Sequence, residues 1–225
     1  MQWSLNQNCL ICKQDSQTAI CVYCRDDLSF FDVEKYHHNL LLAPQIKKGL
    51  DKVDFPVVIA LSDYQWPVSR LLSGLKFSAR IPNAKALAEL FVTHCLNAKL
   101  DLPELIIPMP LHKNRYFTRK FNQSIELAKH IAKFSNNQLQ TSVLSRRKST
   151  KAQTDLSAAQ RRKNLANAFQ VNQAPHNNLS SYQHIAIFDD VITTGTTMNS
   201  AYRCLAKHYP SIRIDVWSIC LTLKN

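Results

Sequence analysis

The stretch that most constrains how this chain can fold is Ile185-Ala-Ile-Phe-Asp-Asp-Val-Ile-Thr-Thr-Gly-Thr-Thr197. Residues 185–188 are a short apolar run, which predicts a buried strand. Two adjacent carboxylates follow, Asp189 and Asp190, and then a hydroxyl-rich turn, 193–197, that contains Gly195. Beyond it Met198, Ala201, Tyr202 and Leu205 recur at helical spacing, so a helix is expected to start at Thr196 or Thr197. A strand, an acidic pair, a hydroxyl and glycine turn and a helix, in that order, make a site for a sugar phosphate.

The physical case has two halves. A helix N-terminus leaves backbone N–H groups unpaired with partial positive charge behind them, which favours a phosphate. Threonine hydroxyls add donors without charge, and glycine permits close approach and positive φ. The carboxylates suit the hydroxyls of a ribose, or a Mg²⁺ ion held by oxygen ligands. Glycine usage sharpens the point: average usage of about 7% would give about 16 in a chain of this length. Here there are three, Gly49, Gly74 and Gly195. The competing reading is an Asp-rich loop whose threonines merely cap a helix.

Four of the seven cysteines fall within 16 residues, as Cys9-Leu-Ile-Cys12 and Cys21-Val-Tyr-Cys24. Each Cys-x-x-Cys turn brings two thiolates to one side of a tight loop, and two such turns close a tetrahedral sulfur site. Structural Zn²⁺ is the expected occupant, because four thiolates leave no open position for catalysis. A redox pair and an iron–sulfur cluster are the alternatives. Cys95, Cys204 and Cys220 lie in apolar segments and read as core residues. His37 and His38 read as surface histidines.

A chain of 225 residues can bury a full core. We expect a zinc-binding N-terminal segment over 1–50 and a main domain over 51–225. No apolar run approaches membrane-spanning length. Residues 1–8 have neither a basic region nor an apolar core, so no secretory leader is expected and the cytoplasm is the expected location. The formal charge is +12. Between 105 and 170 there are 13 Lys or Arg against two acids, Glu126 and Asp155, which is nearly the whole excess. Such a concentration points to an anionic ligand, whether pyrophosphate, a nucleotide or a nucleic-acid backbone; the alternative is a solvated charged face.

Taken in order, 40–54 reads as a connection and 57–61 as a strand. Val68, Leu71, Leu72 and Leu75 predict a helix that breaks before Lys76, and 84–96 predicts a second amphipathic helix. Residues 105–110 predict a short strand running into Pro108 and Pro110, followed by a basic loop with His112, Lys113, Arg115, Arg119 and Lys120. Asn122 is a candidate cap for the next helix. Residues 157–167 read as helix, 172–183 as a polar linker, and 212–221 as a closing strand with one buried face. Alternating strands and helices indicate an α/β fold with a mostly parallel sheet.

The run Phe188-Asp-Asp-Val-Ile-Thr-Thr-Gly-Thr-Thr197 resembles the phosphoribosyl pyrophosphate (PRPP) loop of type I phosphoribosyltransferases. The resemblance implies that Asp189 and Asp190 hold the ribose and that Val191, Ile192, Thr193, Thr194, Gly195, Thr196 and Thr197 complete the PRPP-binding loop. Pro108-Met-Pro110-Leu-His112, Arg115, Arg119, Phe121-Asn-Gln-Ser124, Arg146, Thr150, Gln153-Thr154, Leu156, Arg161, Asn164, Ala168-Phe169, Lys76 and the four-cysteine knuckle resemble the ComF family, a bacterial branch of the same group. Ala79 and Lys120 depart from it, standing where glycine is usual.

This likeness implies a type I phosphoribosyltransferase fold with an N-terminal zinc knuckle, Mg²⁺ bound with PRPP, and a hood closing over the ligand near 145–164. It makes Arg115, Arg119 and Arg146 the candidates to stabilise departing pyrophosphate beside Asp189 and Asp190. It also implies handling of incoming single-stranded DNA in natural competence, with a protein partner in the DNA-uptake machinery. Two functions follow. One is a phosphoribosyl (glycosyl) transferase of unassigned acceptor. The other is a non-catalytic single-stranded-DNA-binding or PRPP-regulated adaptor, with Tyr116, Phe117 and Phe121 as stacking residues.

Overall fold

In the computed structural model, the described residues are 7–50, 52–97, 100–111, 120–146 and 168–223. The chain begins with a small hairpin of β1 (Gln7–Asn8) and β2 (Asp15–Ser16), followed by a short helix α1 (Val22–Asp26). The stretch expected to be a bare connection carries a 3₁₀ turn, Leu40–Leu42, and helix α2 (Pro44–Gly49). Asn39 caps the first by accepting from the Leu41 N–H, and Pro44 sits in the first turn of the second, where its missing N–H has no intrahelical role.

The main body alternates strand and helix. It runs β3 (Val58–Asp63), α3 (Val68–Ser78), α4 (Pro82–Cys95), β4 (Leu105–Pro108), α5 (Gln123–Ser135), β5 (Gln138–Leu139), β6 (Leu144–Arg146), β7 (Phe169–Val171), β8 (His184–Ile192), α6 (Thr196–His208) and β9 (Arg213–Leu221). Five strands form one all-parallel sheet in the order β3-β9-β8-β4-β5. This is the expected α/β architecture. The other two main-body strands, β6 and β7, pair antiparallel on either side of 147–167, which lies outside the described residues together with the helix expected there.

Strand order fixes where a ligand belongs. From β4 the chain crosses through α5 to β5 at one edge; from β8 it crosses through α6 to β9 in the other direction. Right-handed crossovers of opposite sense put α5 and α6 on opposite faces. The carboxyl ends of β4 and β8 therefore flank a topological switch point, where open α/β sheets hold their ligands.

Several elements differ from expectation for identifiable reasons. The predicted four-residue strand is nine residues long and includes both aspartates, because β8 is bonded on both sides and pairing carries it past its apolar run. β9 is buried on both faces, since α4 packs on one side of it and α6 on the other, so no single buried face exists. α3 does not break before Lys76; it continues to Ser78 and ends where Ala79 turns left-handed at φ 48°. Cys95 and Cys220 are buried as expected, whereas Cys204 is half-buried. The core is aromatic at its centre: Phe91 of α4 packs edge-on to Phe188 of β8 at 6.3 Å and against Trp217 of β9 at 5.5 Å. At the amino end of the sheet, His184 Nε2 lies 2.9 Å from Asp215 Oδ2, which Arg213 also engages from its Nη2 at 3.1 Å.

Candidate functional site

The four N-terminal cysteines converge. Their sulfurs all lie within 4.8 Å of one another, and Cys12 Sγ is 3.8 Å from Cys21 Sγ. A tetrahedron with Zn–S bonds of about 2.3 Å has edges of about 3.8 Å, so the set matches a zinc ion in size and donor type. The peptide chain supports it: the Cys21 N–H donates to Cys9 Sγ at 3.4 Å, and the Lys13 N–H closes the first turn onto the Cys9 carbonyl at 3.0 Å. Crowding splits the thiols. Burial works against the Cys9 thiolate, but N–H groups of Cys21, Cys12 and Ile11 outweigh it and bring the thiol down to about 6. Burial, with hydrogen bonds to the other sulfurs and the charge of Cys9, pushes Cys24 up to about 12. A divalent cation at the centre removes that conflict, because the ligand form is the thiolate. His37 is exposed. His38 is half-buried, with Nδ1 3.2 Å from the Cys95 carbonyl oxygen.

The second site is a cavity of about 480 Å³ at the switch point. Asp189 and Asp190 form its floor, and 193–197 its wall, with α6 starting at Thr196. Asp189 Oδ1 accepts from Ser124 Oγ at 2.7 Å and from the Asp190 N–H at 2.9 Å. Asp190 is 4% exposed; its Oδ2 is 2.7 Å from Lys76 Nζ, and its Oδ1 accepts from the Val191 N–H. Lys76 also sits 5.9 Å from the ring centre of Tyr64. Burial and the neighbouring Asp190 charge push the Asp189 carboxyl up to about 7, against the opposing hydrogen bond from Ser124.

The turn is built around Gly195. Its φ is +77°, and a Cβ there would come within 3.0 Å of the Val53 side chain and 3.3 Å of Leu50. Thr194 Oγ1 and Thr196 Oγ1 are 2.7 Å apart. Val191 and Ile192 also line the cavity, although the Ile192 side chain is buried in the core. Asn122 caps α5 by accepting from the Ser124 N–H, and its amide donates to the Met109 carbonyl, tying the end of β4 to this helix.

Of the three arginines singled out from sequence, Arg146 lines the cavity, its guanidinium 5.6 Å from the Phe169 ring centre. Arg115 and Arg119, with His112, Lys113, Tyr116 and Phe117, lie outside the described residues, as do Thr150, Gln153, Thr154, Leu156, Arg161 and Asn164. Among the residues not assigned to the site from the sequence are Tyr64, Lys76 and Gln123, which line the cavity, and Ser124, which bonds Asp189. Family likeness had marked Lys76, Gln123 and Ser124; nothing in the sequence marked Tyr64. Gln123 also lines the cavity, is 4% exposed, and its Oε1 has no hydrogen-bond partner among the described residues. A buried amide oxygen left so is a ready acceptor for a ligand hydroxyl or amine.

No protein-family model matches the chain. Curated proteins do. DNA utilization protein YhgH of Escherichia coli O157:H7 is 35% identical over 170 residues, covering 74% of this chain and 72% of the relative. The protein of the same name from Salmonella typhimurium is 35% identical over the same span. Competence protein F of Haemophilus influenzae is 32% identical over 211 residues, covering 92% of this chain and 86% of the relative.

Proposed function

Because this chain belongs to the ComF family, we propose that it is a PRPP-binding protein of the phosphoribosyltransferase type that serves the handling of incoming DNA. The observation that carries the first half is the pairing of two carboxylates with a left-handed glycine turn at a helix N-terminus, in one cavity at the switch point. The carboxylates of Asp189 and Asp190 accept hydrogen bonds from the ribose hydroxyls. The N–H groups at the start of α6 and the hydroxyls of 193–197 take the 5′-phosphate. Lys76 and Arg146 supply positive charge for the pyrophosphate, and Gln123 accepts from the ligand or from its acceptor. Mg²⁺, when bound with PRPP, neutralises the pyrophosphate oxygens; Asp189 is the residue here suited to face such a hard cation, since Asp190 is engaged by Lys76. In a transfer reaction these fixed charges stabilise the departing pyrophosphate.

The second half rests on the likeness to DNA utilization and competence proteins and on the concentration of positive charge between 105 and 170. The same two observations favour a second reading, in which the protein binds single-stranded DNA without transferring phosphoribose and PRPP acts as a regulatory ligand. A protein partner in the uptake machinery fits either reading.

The deciding experiment is calorimetric titration of the zinc-loaded protein with PRPP and Mg²⁺, alongside the Asp189→Asn/Asp190→Asn variant. We expect micromolar binding that weakens at least about 100-fold in the variant, as loss of two charge-assisted contacts demands. Absence of binding to the unaltered protein, or equal binding by the variant, rejects the PRPP site. Pyrophosphate release during incubation with candidate acceptors then separates transfer from regulation.

A further inference from the structure

One face of α3 stands apart from the rest of the described surface. Seven large hydrophobic residues are exposed among the described residues, and three of them sit on this helix or at its flanks: Trp66 at 59%, Phe77 at 74% and Ile81 at 39%. The helix does not lack a buried face, because Val68, Leu71, Leu72 and Leu75 fill the core. Phe77 and Arg70, seven residues apart, share the opposite face, while Trp66 leads into the helix and Arg80 follows its end. Arg70 and Arg80 are both exposed and form no salt bridge among the described residues. From 64 to 88 the chain holds four cations, Arg70, Lys76, Arg80 and Lys85, and no acid. The helix spans about 16 Å by the usual helical rise.

Exposed aromatic rings interleaved with arginines, on a strip that carries no acid, complement one chemistry best. Unpaired bases stack on flat rings, and the phosphates between them pair with the guanidinium groups. A duplex keeps its bases stacked inside and cannot use the rings in this way. We propose that the exposed face of α3 is a track for single-stranded DNA. Bases stack on Trp66 and Phe77, and phosphates pair with Arg70 and Arg80. Tyr64 and Lys76, which line the cavity, lie within two residues of Trp66 and Phe77 in the chain. Lys76 points inward to Asp190 from the same helix that presents Phe77 outward. The track is separate from the basic segment 105–170, and it rests on the DNA-handling half of the proposed function, not on the PRPP half.

The test uses the full chain with zinc bound. Anisotropy of a labelled oligothymidylate is titrated across a salt series for the unaltered protein, Trp66→Ala/Phe77→Ala and Arg70→Ala/Arg80→Ala, with PRPP affinity measured on each as a check that the cavity is intact. The aromatic double variant should bind oligothymidylate about tenfold or more weakly with the salt slope unchanged, because stacking releases no counterions. The arginine double variant should lower the slope of log affinity against log salt by about 1.4, at roughly 0.7 for each phosphate contact to a single strand. All three should bind PRPP alike. If the unaltered protein binds oligothymidylate and the variants match it, the track is wrong and DNA handling lies elsewhere on the chain. If the unaltered protein does not bind it at low salt, the track and the DNA half of the proposed function fall together, and a PRPP titration that still succeeds leaves the other half standing.

Discussion

Asp189 lies in the cavity with its carboxylate beside that of Asp190. Its carboxyl is raised from the ordinary carboxylate range to about 7 by burial and by the charge of Asp190. An unfolded aspartate titrates near 3.9, so from about pH 4 to about pH 7 the folded chain holds a proton that the unfolded chain has released. Its contribution to stability is therefore largest at the acid end of that window and declines as pH rises, levelling off above about 7, where a half-buried anion sits beside Asp190. Asp189→Asn keeps an acceptor for Ser124 Oγ and for the Asp190 N–H but removes the charge. We expect the variant to be more stable at pH 8, by on the order of 1 kcal/mol, and nearly unchanged at pH 4. Paired thermal melts at the two pH values check this, and an equal shift at both would show that charge is not the cause. At this scale the sequence revealed what is adjacent along the chain: the aspartates, the threonines and the glycine. It could not assign Ser124, which reaches Asp189 from 65 residues away, or Lys76, whose partner is set by how α3 crosses the site.

At the scale of elements, the informative positions are those where the chain turns left-handed without glycine. Ala79 and Lys120, the two departures from the ComF pattern, have φ of 48° and 63°. The backbone conformation that glycine serves in the family is thus kept here by residues with a Cβ, and Ala79 still ends α3 by donating toward the Gly74 carbonyl. Left-handed backbone costs a non-glycine residue about 1 kcal/mol, and glycine gives back part of that through the greater entropy of its unfolded chain. Ala79→Gly should accordingly stabilise the protein by about 0.5 kcal/mol, read as a higher urea midpoint at constant slope; a lower midpoint would mean that the alanine methyl makes contacts worth more than the strain. The elements show why boundaries were harder to read than identities. Helical and strand periodicity marked β4, α4, α5, α6 and β9 from the sequence. The end of α3 depends on a dihedral angle that alanine does not advertise, and β8 outruns its apolar run because neighbouring strands complete its hydrogen bonds.

For the whole molecule, the question is how far the N-terminal knuckle supports the sheet. The cluster of buried residues that contains Trp217 and Phe188 also contains Cys9, Ile11, Ile20 and Cys24. The link between them is specific. Phe30 stacks on His94 of α4 at 4.1 Å between ring centres, and the Phe31 N–H donates to the Leu61 carbonyl of β3 at 2.9 Å. His38 reaches the carbonyl of Cys95 at the end of α4. A metal that holds the four cysteines therefore also holds residues packed against β3 and α4, the elements on either side of Lys76. The pattern of cysteines announced the knuckle from sequence; its contacts with α4 were not legible, because Phe30 and His94 have no local signature of each other. Binding to the folded state alone stabilises that state by mass action, so removing the ion should destabilise the sheet as well as the knuckle. We expect purified protein to carry zinc stoichiometric with the four-cysteine site. Chelation should lower the main thermal transition by roughly 4–8 °C, corresponding to about 2 kcal/mol in a chain of this size, and Cys12→Ser should reproduce the loss. A main transition that stays in place while only the knuckle melts would mean that the contacts of Phe30, Phe31 and His38 do not transmit the metal's binding energy to the sheet.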